Sequence, residues 1–448
     1  MKLSNFISTE IVFTPNIPTG PTSGTIYDSY SYSTGGSTSN YGHSVEYQFD
    51  WKGDGSDLSP WGSATQLKTW GTVGLYNVRA RARCATHTSA VSSWSEPFVV
   101  VILFEWLIFP TPYVSANWYL EGVHFTSPNE GWAVGRDFSN NEGVLLHYLN
   151  GSWIKVDPPN VSSSWGLWKA HFTSSNEGWV VGEDNENRKG VLLHYLNGSW
   201  ESVTPPNVSW DWSLSAIHFT SSSEGWAVGK DNSNKKGVLL HYMNGSWTSV
   251  APPEVSKDWE LSGVHFSSPN SGRVVGSDNL NKRGVMLEYY SGSWSQRSGL
   301  SFNSSDWRFW DTNNRPWVST AIGWDNENRR GIIALMYLWL DPPGGWNLFS
   351  PTYTSSDWYL YGLDPFGVWF VGEDIENKRG VLIFNGYNSW TSVTPPNVSL
   401  DWWLNSIYFN SENDGWAVGY NRANHKGVIL RYSPETVSIP NTPIWPTS

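Results

Sequence analysis

The chain has 448 residues, with 28 Lys and Arg against 40 Asp and Glu and a formal net charge of −12. Charged residues make up only 15%, against the roughly 25% usual for globular proteins, and 31 Trp, 21 Tyr and 42 Gly take their place. This balance excludes a disordered chain, which lacks the apolar surface to offset its ordering entropy, and a nucleic-acid partner, whose phosphates require clustered Lys and Arg. Ala, Leu, Glu and Lys are too sparse for a helical bundle. Cys84 is the single cysteine, so neither an intrachain disulfide nor a Cys-rich metal site is expected. No apolar run approaches the ~18 residues of a membrane span. The opening Met-Lys-Leu-Ser-Asn-Phe-Ile-Ser lacks the apolar core of a signal peptide. Either the numbering begins after a processed leader or export is not encoded in this sequence.

In chain order, residues 1–22, rich in Asn, Thr, Pro and Ile, read as an extended arm. Residues 23–103 alternate apolar and polar in short runs between Gly and Ser turns, the pattern of a β-sandwich. From residue 104 to 433 a repeat takes over. The segment Gly-Trp-Ala-Val-Gly, or its relic, ends at Gly135, Gly182, Gly229, Gly276, Gly323, Gly372 and Gly419, spaced by 47 residues with one interval of 49. A second Trp series (Trp106, Trp153, Trp200, Trp247, Trp294, Trp346, Trp390) and a third (Trp118, Trp165, Trp212, Trp259, Trp307, Trp358, Trp402) keep the same register. Each repeat reads as four short strands. Asn-Gly marks a two-residue hairpin because both turn positions need positive φ, and Pro-Pro marks the exit from the sheet. Such a unit fits a propeller blade. Trp106 is a fourth-strand residue with no blade before it, and the last copy stops after its third strand. The expected architecture is therefore all-β: an Ig-like sandwich followed by a seven-bladed propeller, closed by pairing the strand around Trp106 with the final blade. A Pro-rich tail is expected at 434–448.

The segments YQFDWKGDGSDLSPW, TWGTVGLYNVRARA and SSWSEPFVV, within residues 23–102, resemble the PKD and fibronectin-III-like modules of bacterial and archaeal surface proteins. That resemblance implies a spacer or adhesive unit without catalysis. The repeated GWAVG…G.LLHY.NGSW resembles BNR-like and photosystem-II-stability-factor-like propellers, a superfamily whose roles include assembly factors, sialidases and lectins; the sialidase Asp-box is not present.

Candidate functional residues stand out where the repeat is broken or decorated. Trp168, Trp310 and Trp403, with Tyr119, Tyr359 and Tyr361, follow the third-series Trp by one or three residues. Other copies carry Ser, Gly or Glu there, so packing does not demand an aromatic, and these rings are candidates to stack on sugars; extra packing between blades is the competing role. Further irregular tryptophans are Trp210, Trp317, Trp324, Trp339 and Trp445. The Asp-Asn-x-Asn loop between second and third strands starts at Asp184, Asp231, Asp278 and Asp325, with variants at Asp137, Asp374 and Asn421. Its oxygens could bind a ligand or Ca²⁺, although Asp and Asn also form turns by themselves. His124, His171, His218 and His265 are equivalent, as are His147, His194 and His241, and both sets are expected to be structural. Asn-x-Ser sequons at Asn150, Asn160, Asn197, Asn207, Asn244, Asn303 and Asn397 are glycosylation candidates in a host able to modify them.

No catalytic constellation emerges. The sequence therefore predicts a non-enzymatic extracellular or cell-surface protein for adhesion, glycan binding or extracellular assembly into a filament or surface layer. Its expected partners are glycans, other surface proteins or copies of itself, with Ca²⁺ the one cofactor weighed. The first alternative is a glycan-cleaving hydrolase or lyase at the propeller mouth, which needs carboxylates ~5–10 Å apart. The most divergent repeat, 301–350, with Asp311 and Asp325, is where that pair is expected. The second alternative is an assembly-factor-like, protein-binding propeller.

Overall fold

The computed structural model describes residues 9–315, 318–337, 346–353, 355–386 and 389–432. The tail at 434–448 and Trp317, Trp339 and Trp445 lie outside the described residues. The chain divides into two units, Met1–Glu105 and Trp106–Ser448. Among the described residues there is no helix, and so none long and apolar enough to cross a membrane.

In the first unit, β1 (Ser23–Thr25), β2 (Ser29–Ser33), β3 (Val45–Asp50), β4 (Thr65–Thr69), β5 (Gly74–Cys84) and β6 (Phe98–Leu103) form two sheets. The larger has the order β1-β6-β5-β3, and β2 pairs with β4. Strand alternation on β5 explains the layering. Val78, Ala80, Ala82 and Cys84 are buried, and Val78 and Ala80 pack with Tyr32, Phe49, Trp51 and Trp70 in the core. The intervening Arg79, Arg81 and Arg83 face Asp50, Gln48 and Glu46 across the pair, with their guanidinium groups stacked on Trp94 and Trp61. Residues 9–22 do not hang free of this unit: Val12 bridges Ser39 and Thr19 bridges Ser33.

The second unit holds seven four-stranded sheets among its described residues, whose first strands begin at Trp118, Trp165, Trp212, Trp259, Trp307, Trp358 and Trp402. We number them one to seven in that order. In sheet three the strands are Trp212–Ser221, Glu224–Asp231, Lys236–Met243 and Ser246–Val250. The last two are joined through Asn244 (φ 48°) and Gly245 (φ 92°), the positive values that an Asn-Gly hairpin turn requires. The second strand is buried on both faces, because a neighbouring sheet covers each side, and so it reads as a continuous apolar run. Sheet seven takes its fourth strand from the start of the unit: β7 (Trp106–Ile108) pairs antiparallel with Lys426–Tyr432, Trp106 opposite Tyr432.

Aromatic stacking joins the sheets. The Trp of each Gly-Trp-Ala-Val-Gly lies flat on a Phe from the first strand of the next sheet: Trp132 on Phe172 at 5.5 Å, Trp226 on Phe266 at 5.5 Å, and Trp416 of sheet seven on Phe125 of sheet one at 5.1 Å. A second-series Trp closes on its edge, as Trp294 does on Trp226 at 5.2 Å and Trp106 on Trp369 at 5.4 Å. The third-series Trp is also fully buried. Trp259 lies against Gly237 of the preceding sheet, where an added Cβ would come within 2.4 Å of the ring. Only glycine fits there. His147, His194 and His241 stack on Trp132, Trp179 and Trp226 at 4.0–4.1 Å. Arg273 replaces the wedge Trp in sheet four, lying over Trp346 and paired with Glu288 at 2.9 Å. Trp226→Ala removes a flat stack and an edge contact from a buried seam. It is expected to cost about 3–5 kcal/mol, read from urea denaturation of the full chain.

Candidate functional site

The first strand of every sheet faces a common axis. Each carries a bulge after its third residue (Leu120/Gly122 in sheet one, Phe309/Asp311 in sheet five), which turns two successive side chains towards that axis. Val123, His124, Lys169, His171, His218, Val264, His265, Asp311, Asn313, Asp364, Ser406 and Tyr408, contributed by all seven sheets, line a central cavity of about 170 Å³. It continues past His124, His171 and Tyr408 into a recess of about 500 Å³ between the first-to-second-strand loops. Lys169 of sheet two reaches Asp311 of sheet five at 3.4 Å, crossing the axis. Beside it, burial raises the Glu121 carboxyl to about 7, against the pull of Lys169. Asp364 is raised to about 6 by burial, but accepts the backbone N–H groups of Phe366, Val368 and Trp369 and so serves its own turn.

The four equivalent histidines stack side by side around this wall, with ring centroids 4.8, 4.5 and 4.2 Å apart from His124 to His265. Tyr408 adjoins His124 at 4.6 Å. Asn314 N–H donates to Nδ1 of His265 at 3.1 Å.

At the other end of the axis, the connections into the first strands share a rim with the Asp-Asn-x-Asn loops. The loop aspartates are turned into the loops and away from the rim surface. Asp231 Oδ1 accepts from the Asn234 amide (3.0 Å) and the Ser209 hydroxyl (2.8 Å), and Oδ2 from the Asn234 side chain (2.7 Å). Burial opposes its ionisation, yet these bonds outweigh burial and hold it below the usual carboxylate value. Asp184, Asp278 and Asp325 repeat the arrangement with Ser162, Ser256 and Ser304, and Asp374 is capped by Asn377. All five are buried. Their oxygens are occupied by protein donors, and the turn role accounts for them. Asp325 pairs with Trp307 at the rim end of its strand, whereas Asp311 lies farther along, beside Ile322. The two carboxylates expected for hydrolysis therefore do not face one site.

The irregular aromatics, by contrast, converge. Trp310 lies 5.1 Å from Trp324, which meets Tyr359 and Tyr361 edge-on at 6.0 Å. The Tyr361 hydroxyl donates to Glu373 at 2.9 Å, and Glu373 pairs with Arg422 at 3.5 Å. The Arg422 guanidinium lies 4.4 Å over Trp403, whose ring meets Tyr420 at 5.0 Å. Tyr420 adjoins Tyr119 at 5.9 Å, and Tyr119 adjoins Trp168 at 6.3 Å. This arc runs over sheets five, six, seven, one and two. Sheets three and four carry Ser213, Ser215, Glu260 and Ser262 at the same places, with Lys230 paired to Glu260 at 2.9 Å. Trp210, 66% exposed, stands apart under Arg188. Sequence reasoning singled out the first-strand members but missed Glu373, Tyr420 and Arg422. The first two follow the Gly-Trp-Ala-Val-Gly glycine and pair directly with Tyr359 and Trp403, a cross-strand signal readable from the register. All seven sequon asparagines are exposed.

No protein-family model matches the sequence, and no curated protein matches it. Among solved structures the chain is similar to YCF48 from Cyanidioschyzon merolae, with a TM-score of 0.51 and 14% identity over 74% of this chain and 99% of that one. It is also similar to the Dos1 propeller, with a TM-score of 0.44 and 12% identity over 80% of this chain and 88% of that one. Over 20% of its length it is similar to the PKD domain of an M14-like peptidase from Thermoplasmatales archaeon SCGC AB-540-F20, at 33% identity, 94% of that chain and a TM-score of 0.17. Together with the repeated four-stranded sheets, the first likeness marks this as a β-propeller protein; at 14% identity it speaks for the fold alone.

The histidine stack has a measurable consequence. Burial lowers all four imidazoles, His171 to about 4 and His265 to about 3. Below about pH 6.5 the unfolded chain binds protons at these positions and the folded chain does not. Stability therefore falls as pH drops from about 6.5 towards 4, by up to about 1.4 kcal/mol per pH unit for each histidine. Glu121 and Asp364 act oppositely: the folded state holds their protons more tightly, so their contribution is lost as pH rises through about 7 and about 6. His171→Asn, which installs the residue already present at Asn313, is expected to flatten the acid slope by about one proton in urea titrations. An unchanged slope would mean that the imidazoles titrate normally.

Proposed function

We propose that this is a non-enzymatic extracellular or cell-surface binding protein, in which a PKD-type, Ig-like module carries a closed seven-bladed propeller that holds glycans on its aromatic rim. The pairing of β7 with the last strand and the Trp416–Phe125 stack support the closed ring. The observation that carries the functional reading is the arc itself. Aromatic rings unnecessary for the blade repeat, as sheets three and four attest, gather on five contiguous sheets around one mouth of the axial channel. Flat rings flanked by Glu373 and Arg422 offer both the stacking face and the hydrogen-bonding groups that a sugar presents in return. The exposed sequons suit an exported chain.

Glycan arrays and polysaccharide pull-down with the full chain test this, with and without Ca²⁺. Trp310→Ala and Trp403→Ala are each expected to weaken binding about tenfold, equivalent to about 1.4 kcal/mol, while Trp210→Ala, outside the arc, leaves it unchanged. Absence of any glycan ligand, or equal binding by all three variants, would overturn the lectin reading. The alternative of glycan cleavage rests on one observation, the Glu121 carboxyl raised to about 7 beside the Lys169–Asp311 pair. It requires turnover that Glu121→Gln abolishes.

A further inference from the structure

The first unit gathers four potential metal ligands that are far apart in sequence. Cys84 ends β5, and the next residues fold back over it: the amides of Thr86 and His87 both donate to Cys84 Sγ, at 3.3 and 3.2 Å. This turn sets the His87 ring beside the sulfur. His43 precedes β3, where Val45 pairs with Cys84, and its Nδ1 lies 3.6 Å from Cys84 Sγ. Glu10 arrives from the N-terminal segment, held in place by the Val12–Ser39 bridge and the Ile11–Asn40 hydrogen bonds. Its Oε1 lies 3.0 Å from His43 Nδ1 and its Oε2 2.6 Å from His87 Nδ1. All four ligand atoms fall within 4.8 Å of one another.

We infer that Glu10, His43, Cys84 and His87 form a tetrahedral site for a zinc-type divalent transition metal that staples the N-terminal segment to the sandwich. Three observations converge on it. The donor set, one thiolate, two imidazoles and one carboxylate, is that of a four-ligand zinc site, with sulfur and nitrogen donors unsuited to Ca²⁺ or Mg²⁺. Bonds of ~2.0–2.3 Å in a tetrahedron space the ligand atoms ~3.3–3.8 Å apart, so the observed cluster closes on an ion with shifts of about 1 Å or less. The charges also fit. The thiolate and carboxylate bring two negative charges and neutral imidazoles none, so a divalent ion neutralises the set. The Ser39 hydroxyl donates to Glu10 Oε1, and the two amide donors steady the thiolate, the outer-shell support that metal ligands require. Binding releases the Cys84 thiol proton to solvent. The exposed edge of the His87 ring, 56% accessible, gives the ion its way in.

Titration of the reduced full chain with Co²⁺ tests this. The expected result is one equivalent bound, with a thiolate-to-cobalt charge-transfer band and intense tetrahedral d–d bands, both removed by Zn²⁺. Cys84→Ser is expected to abolish the charge-transfer band. His87→Ala, in an exposed loop that does not contribute to the core, is expected to weaken Co²⁺ affinity at least about tenfold, the loss of one ligand; this variant decides the matter if Cys84→Ser fails to fold. Chelation is expected to speed hydrogen exchange in residues 10–13. A reduced chain that binds no Co²⁺ at micromolar concentration, or spectra unchanged in His87→Ala, would overturn the site and leave a Glu10–histidine hydrogen-bond network.

Discussion

The second unit depends on one contact repeated from five of its seven sheets, a tryptophan from the second strand of one sheet lying flat on a phenylalanine from the first strand of the next. A single repeat of this kind cannot bury its hydrophobic faces by itself. The stack supplies the missing cover, and the buried glycine opposite each third-series tryptophan permits neighbouring backbones to close up. With both devices fixed by the repeat, the inner strands are held at set angles. The channel wall and rim then become platforms on which residues can vary without threatening the blades. The charge-poor, Trp-rich composition follows from this, because ion pairs cannot cover large flat faces as aromatic rings do.

The rim is where that freedom has been used. On sheets three and four the variable places carry serine and one Lys–Glu pair, as an ordinary solvated surface does. On the other five they carry Tyr and Trp, knitted by Tyr361, Glu373 and Arg422 into one connected surface. Behind it Lys169 spans the channel to Asp311 and Asp364 is consumed by its own turn, while Nδ1 of His124 and of His171 and the Asn313 side-chain nitrogen have no hydrogen-bond partner.

Most of the fold was legible because each element recurs in the sequence. GWAVG, Asn-Gly and Pro-Pro mark strand, hairpin and exit several times each, so a single ambiguous copy did not matter. The aromatic rim was half legible. Trp168, Trp310, Trp403, Tyr359 and Tyr361 were visible as departures from the repeat, but the partners that link them sit on second strands and cross between sheets, which periodicity along one strand does not encode. For the loop aspartates repetition drew attention to Asp184 and its equivalents, while the serine that donates to Asp184, Asp231, Asp278 and Asp325 lies some twenty residues upstream in another connection. The Glu10, His43, Cys84 and His87 cluster was illegible altogether. Only Cys84 and His87 are close in sequence, and Glu10 and His43 come to them from two other segments of the unit.

The pairing of β7 with the final strand has a kinetic meaning. The first propeller strand to leave the ribosome waits for the last, so sheets one to six can form during translation while sheet seven stays incomplete until its third strand emerges. Until then β7 is an unpaired strand carrying an exposed tryptophan. Non-local pairing of this kind is slow and leaves such edges open to foreign strands. The shortness of β7, three residues, limits that hazard during the wait and makes final assembly a small, late step.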